Sequence, residues 1–195
     1  GLEDYLYGMA DEEEWVDALN DKVEAFTTGL AEELVRAGVD AIWLGEDLGS
    51  QVSTLIAPDT WRRMFKPRHA RLIRKLRAIN PELILIMHSD GAIAPLIDDF
   101  IEIGVDVYNP VQPGVPGSDP KELMQKYGGR IRFFGGIDQQ ALLPEGDTAK
   151  IEKTMRFYAE TLGASGGYLM APAHILQADV APETVEAMLA TAKTL

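Results

Sequence analysis

The chain has 195 residues, 46% hydrophobic and 25% charged, with a formal net charge of −13; that length is most simply one domain with a substantial core. Cysteine is absent, which removes disulfides, thiolate nucleophiles and Cys-type zinc sites. No apolar run approaches the roughly 18 residues of a membrane span, the acidity disfavours nucleic acid as a partner, and the opening Gly1-Leu-Glu-Asp-Tyr5 shows no secretory signal; with cysteine absent, a reducing cytoplasmic setting is expected.

Glu12 to Ala37 carries Leu, Val, Phe and Trp at helical spacing and ends before Gly38, a plausible C-cap. Fourteen Asp and Glu against Lys22 and Arg36 put −12 of the net charge between Gly1 and Asp47. Strand Asp40–Leu44 follows. Pro58 opens a helix whose run Arg62–Arg77 holds eight basic residues. Its apolar positions Met64, Phe65, Ile73 and Leu76 predict a helix lying on a core with a solvated basic face; the other reading is a docking surface for acidic groups, the N-terminal segment among them. Pro67 should break or kink this helix. Strand Leu83–Met87 is apolar at every position and should be central, whereas Asp40–Leu44 should be an edge. Helix Ala92–Ile103 ends at Gly104, and strand Val105–Tyr108 leads into a loop from Asn109 to Ser118. Helix Pro120–Tyr127, strand Arg130–Phe134, helix Thr148–Leu162, strand Tyr168–Ala171 and helix Pro182–Lys193 complete the pattern.

Five strands separated by helices demand crossover connections, hence a parallel α/β fold. No G-x-G-x-x-G or P-loop motif occurs, so nucleotide binding has no support. The loops after the strands carry the chemistry instead: Glu46-Asp47, His88-Ser-Asp90, Asn109 and Gln112, Asp138-Gln-Gln140, and His174. A ring of polar groups at strand ends is the TIM-barrel pattern, but a closed eight-stranded barrel takes about 250 residues. The expectation is a single domain of five βα units, a partial barrel.

Two residues apart on an extended chain, His88 and Asp90 share a side. A second histidine, His174, would complete a nitrogen–oxygen–nitrogen set suited to zinc or iron. The string also matches the iron-binding triad of non-haem oxygenases, which usually rests on all-β scaffolds, unlike this chain. The bland alternatives are a histidine bonded to backbone at a strand end, and Asp90 or Asp138 capping the helices that follow. Gly135-Gly136 allow a tight turn or close approach to a ligand. Trp43 and Tyr108 read as packing groups.

Jointly, several motifs resemble the uroporphyrinogen decarboxylase superfamily. They are Gly38-Val-Asp-Ala-Ile42 with Glu46-Asp-Leu-Gly-Ser-Gln51, Ala57-Pro58 to Lys66-Pro67, His88-Ser-Asp-Gly91, Gly104 to Gln112, Phe134-Gly-Gly-Ile-Asp138, and Ala171-Pro-Ala-His174 through Pro182-Glu-Thr-Val185. The resemblance implies a (β/α)8 barrel of which this chain is the C-terminal portion. Within the superfamily it is similar to corrinoid-linked methyltransferases of the methylcobamide:coenzyme M type, whose zinc motif is His-x-Cys and a later Cys. Here Asp90 and His174 stand where those cysteines would be. The likeness implies a methyl group moved between a small donor and a corrinoid carried by a partner protein. Zinc would be held by His88, Asp90 and His174, with Asp47 joining the two histidines as catalytic groups. Glu46, Gln51, Asn109, Gln112, Asp138 and Gln177 would bind substrate. Replacing thiolates by His and carboxylate makes the metal more Lewis-acidic, so an ether or amine donor suits it better than a thiol. The alternatives are porphyrinogen decarboxylation, against which the family's Gly-Asn-x-Asp-Pro reads Gly135-Gly-Ile-Asp-Gln139, and a non-catalytic half-barrel partner. Unpaired strand edges imply a homodimer or a piece of a larger chain.

Overall fold

The computed structural model describes residues 1–164 and 166–195. The chain divides into two compact units, Gly1–Ile42 with Ala57–Ile84, and Trp43–Ile56 with Leu85–Leu195.

The first unit is built on four helices: α1 (Leu2–Ala10), α2 (Glu14–Arg36), α3 (Pro58–Met64) and α4 (Lys66–Ile79). The predicted long helix is α2; α1 was not anticipated, although Leu2, Tyr5, Leu6 and Met9 recur at helical spacing. The Tyr5 hydroxyl donates to Asn20 Oδ1 at 2.6 Å and ties α1 to α2. The break at Pro67 is real: α3 stops at Met64 and α4 restarts at Lys66, leaving Pro67 in a first turn, where its missing N–H has no partner to lose. Helix α2 packs on α4. Val16, Ala31 and Val35 are buried on one, Leu72, Ile73 and Leu76 on the other.

The basic run of α4 meets the acidic N-terminal segment. Arg68, its side chain only 15% exposed, bonds Asp21 at 2.6 Å and Asp17 at 3.0 Å, and Arg71 bonds Glu24 at 2.5 Å. The self-docking reading of these charges therefore holds for Arg68 and Arg71. The apolar period of α2, by contrast, is only half used. Trp15, Leu19, Val23, Phe26, Leu30 and Leu34 form a stripe beside the buried face and are all exposed, Phe26 to 75%.

The strands are β1 (Ala41–Gly45), β2 (Ile84–His88), β3 (Val107–Val111), β4 (Arg132–Ile137) and β5 (Tyr168–Pro172), in one sheet of order β1-β2-β3-β4-β5. Strand β1 is an edge, as predicted. The middle position belongs to β3, not β2: β3 is buried at all five residues, while β2 alternates and leaves Ile84 42% exposed. An all-apolar strand can be buried on either face, so composition alone did not fix its place. The β3 strand also runs past Tyr108 through the cis Asn109–Pro110 bond to Val111, where a loop was predicted. Pro110 lies in the stretch where the register with β4 shifts, so its missing donor disrupts no regular ladder.

Within the second unit a 3₁₀ turn (Ala94–Leu96) runs into α5 (Ile97–Ile103), closed by Gly104 in the left-handed conformation. Then come α6 (Pro120–Tyr127), the unpredicted short α7 (Leu142–Glu145), α8 (Thr148–Leu162) and α9 (Pro182–Ala192). Ile137, Leu143, Ile151, Met155, Val180 and Met188 make one core cluster. Gly135 and Gly136 prolong β4 rather than end it. A Cβ on Gly136 would lie 2.6 Å from the Tyr158 ring, so the close approach is to the protein itself. Parallel register sets His88 opposite Asn109 and Ile137 opposite Pro172, which brings the strand ends that carry the predicted site onto one side of the sheet.

Candidate functional site

All the residues that converge belong to the second unit. His88 ends β2, Ser89 is fully buried, and Asp90 again faces the side of His88, as extended-chain alternation requires. The Ser89 hydroxyl accepts from Leu48 N–H at 2.9 Å, while Ser89 N–H donates to Asn109 O at 2.9 Å, so the residue between the two candidate ligands is fixed at both ends. His174 comes up from the end of β5, just after Ala173, whose N–H donates to Ile137 O. Asp90 Oδ2 lies 3.4 Å from His174 Nε2 and 3.9 Å from His88 Nε2. One ligand atom from each of the three lies within 4.8 Å of the others, a spacing that lets the trio hold a metal ion.

The protonation of His88 follows from its neighbour. Its Nδ1 is 2.6 Å from Asn109 Oδ1, which can only accept, so the proton sits on Nδ1. That leaves the Nε2 lone pair facing Asp90, the tautomer a metal needs. Asn109 is 3% exposed, and β3 holds it in register beside His88. An N–O–N donor set from two strand ends, with one ring pre-oriented by a buried amide, fits a divalent ion such as zinc or iron and leaves coordination positions open.

Asp47 is the next carboxylate out. Its Oδ1 is 3.9 Å from His88 Nε2 and accepts from Asp90 N–H at 3.4 Å. Glu46 is half-buried, and its N–H donates to His88 O at 3.0 Å. The loop after β1 is seated on the loop after β2 by two glycines. A Cβ on Gly49 would come within 2.5 Å of Asp90 O, and one on Gly91 (φ +85°) within 2.5 Å of Gly49 C, so backbone passes over backbone there. Gly91 N–H donates to Gln112 Oε1 at 2.7 Å, and Ala92 N–H to Ser50 O at 2.8 Å.

A cleft of about 510 Å³ opens beside the trio, with Asp90 and His174 in its wall. Gln51 and Gln112 line it from one side, and the Gln112 side-chain amide donates to Gln51 Oε1 at 3.3 Å. Gln177 lines it from the β5 loop together with Ile175 and Asp179. The sequence reading did not name Gln139, Gln140 and Asp179 as site residues, although Gln139 and Gln140 stood in a loop it singled out; their types alone carry no chemical signature. Asp138, expected to bind substrate, is not among the residues that line the cleft; its Oδ1 accepts from Gln140 N–H at 2.7 Å and Ala141 N–H at 3.2 Å, which caps the turn. Trp43 is not a plain packing group either. It is 49% exposed, with its ring 5.5 Å from that of His88 and edge-on to Phe134 at 5.4 Å. Tyr108 is buried as predicted, and burial pushes its hydroxyl up from the ordinary phenol range.

The model of the uroporphyrinogen decarboxylase (URO-D) family matches residues 1–195. The chain belongs to the uroporphyrinogen decarboxylase family. Among solved structures, a methyltransferase from Methanosarcina mazei superposes on 100% of this chain with a TM-score of 0.78 at 19% identity. The chain spans 53% of that protein's length. A Mycobacterium tuberculosis protein aligns with 87% of this chain and 73% of its own, at 17% identity and a TM-score of 0.48. No curated protein matches the sequence. The fold is thus a partial TIM barrel of the uroporphyrinogen decarboxylase type, five parallel strands in one sheet. No described helix is long and apolar enough to cross a membrane.

Proposed function

We propose that this uroporphyrinogen decarboxylase family member is a metal-assisted methyltransferase, moving a methyl group between a small donor and a corrinoid carried by a cytoplasmic partner protein. The observation that carries the reading is the His88–Asp90–His174 trio, its ligand atoms within 4.8 Å of one another at the ends of two strands. The likeness of fold to a methyltransferase supports it. His88, Asp90 and His174 would hold zinc, which as a Lewis acid polarises the donor's heteroatom. Asn109 keeps the Nδ1 proton on His88 and so presents Nε2 inward. Asp47, its carboxylate 3.9 Å from that nitrogen, would supply a fourth ligand or a base beside the metal. Glu46 steadies the loop that carries Asp47, and Gln51, Gln112 and Gln177 would orient the donor. Asp138 would act on substrate only indirectly, by shaping the turn that bears Gln139 and Gln140.

On this reading the chain is the later portion of a barrel, completed by further polypeptide or by a second copy. The exposed stripe on α2 and the open edges of β1 and β5 are the surfaces such a completion would cover. Stoichiometric metal analysis is the test: a folded sample that neither contains nor takes up zinc overturns the reading. Incubation with uroporphyrinogen separates the family's other chemistry, because carbon dioxide release would replace methyl transfer with decarboxylation.

A further inference from the structure

The loop that carries Asp90 is held at every amide from Ser89 to Ala92, and the hold alternates between its two neighbours. Ser89 N–H donates to Asn109 O at 2.9 Å, on the β3 side, and Asp90 N–H to Asp47 Oδ1 at 3.4 Å, in the loop after β1. Gly91 N–H donates to Gln112 Oε1 at 2.7 Å, on the β3 side again, and Ala92 N–H to Ser50 O at 2.8 Å, after β1. All four partners belong to the second unit, so the set does not depend on what completes the barrel.

Two of these acceptors are backbone carbonyls, which no change of side chain removes. The other two are side chains of unequal quality. Asp47 accepts at 3.4 Å from a side chain 67% exposed, where water competes, whereas Gln112 accepts at 2.7 Å and is only 5% exposed. The partner fixes the orientation of the Gln112 amide. An N–H needs an acceptor, so Oε1 faces Gly91, and Nε2 is left to donate to Gln51 Oε1 at 3.3 Å. The bond falls where the chain has least steric restraint. Gly91 has φ +85°, and without a Cβ it lets the peptide before it turn over at little cost. That peptide begins at the Asp90 Cα. Freeing it frees the backbone from which the carboxylate reaches to His174 at 3.4 Å and His88 at 3.9 Å.

We propose that Gln112 is a positioning residue of the His88–Asp90–His174 centre: by accepting from Gly91 N–H it locks the Asp90–Gly91 peptide and so fixes the Asp90 carboxylate as a metal ligand. The inference rests on the metal reading proposed above. It asks nothing of the cleft's ligand, because the Gln112 oxygen is taken up inside the chain.

The test is zinc affinity of the intact chain by chelator competition, with the visible spectrum of the cobalt(II) form and the melting point of the metal-free form. Gln112→Met removes both bonds at nearly constant volume. It should weaken zinc binding about 10- to 100-fold, the scale for losing a group that orients a ligand, and should shift the cobalt bands. Gln112→Glu still accepts from Gly91 N–H and should return the cobalt spectrum to the parental form. Gln51→Ala, which removes only the longer bond, should leave both metal readouts parental. If the methionine variant does not fold, Gln112→Asn withdraws the same amide by one methylene and carries the same expectation. Parental zinc affinity and cobalt bands in Gln112→Met or Gln112→Asn, with only the metal-free melting point lowered, would make Gln112 a structural residue and overturn the inference while the metal reading stands. A parent chain that takes up no zinc overturns the metal reading itself, and this inference with it.

Discussion

Asp90 has two neighbours through its carboxylate, His174 and His88, and it does not cap the turn that follows: the 3₁₀ turn at Ala94 starts from Ile93 with no side-chain cap bond. Asp90→Ala should therefore leave the melting temperature nearly unchanged, a shift below about 1 kcal/mol, while zinc content drops to background. A lowered melting point with zinc retained would return Asp90 to a capping role. Asn109 offers a finer test because it touches the His88–Asp90–His174 trio only through His88. Asn109→Leu removes the acceptor and should weaken zinc binding by about 10- to 100-fold. Asn109→Asp, which still accepts from Nδ1, should recover most of it, and the ¹⁵N shifts of the His88 ring read the tautomer directly. His88, Asp90 and His174 were legible in the sequence because each stands at the end of an apolar run. Asp138 was ambiguous in the sequence, since an Asp in the turn before a helix can serve substrate or backbone equally well, and here its Oδ1 accepts from Gln140 N–H and Ala141 N–H. Gln140 and Asp179 were silent because nothing in residue type marks a cleft wall.

At the scale of elements, the α2–α4 contact combines apolar packing with a graded set of ion pairs. Arg68 is 15% exposed and also donates to Met64 O at 2.5 Å, whereas the Arg71 side chain is 45% exposed. Arg68→Ala should destabilise the chain by about 1–3 kcal/mol through lost hydrogen bonds and stem packing. Arg71→Ala should cost less than about 1 kcal/mol, and that small loss should vanish in high salt. Chemical denaturation of both variants at two ionic strengths checks the ordering. Helices α6 and α8 were read to the residue, because Asp119 and Asp147 cap them with side-chain bonds and glycine follows each. Strands β3 and β4 were read short, at Asn109-Pro110 and Gly135-Gly136. Proline and glycine ordinarily punctuate a strand, and here tertiary packing carries the strand through them.

For the molecule as a whole, alkali is the informative perturbation. Burial raises the Tyr108, Tyr158 and Tyr168 hydroxyls, Tyr158 to about 12 with the carboxylates of Asp119 and Asp138 adding to it, and Tyr168 donates to Gly135 O at 2.7 Å. A phenol whose proton is held more tightly in the folded state gives its full stabilisation below the unfolded value near 10 and loses it as pH rises towards the folded one. Stability should thus fall between pH 10 and about 12. These three of the six tyrosines should contribute to the phenolate absorbance only with or after unfolding. Phenolate signal from all six before the circular dichroism changes would contradict the packing of β3, β5 and α8. The parallel α/β class was readable from element alternation alone. The exposed stripe on α2 was not, because periodicity tells which face is apolar and says nothing about what covers it.

The two crossing glycines give the site an unusual sensitivity map. Neither Gly49 nor Gly91 has a functional group, yet a single methyl on either must displace backbone next to Asp90. Gly49→Ala should cost zinc as surely as losing a ligand, with far-ultraviolet circular dichroism preserved. A mutational scan scored on metal retention would then rank two residues without side chains beside the ligands themselves, and any effort to redesign this centre would find its narrowest tolerance in those two hydrogens.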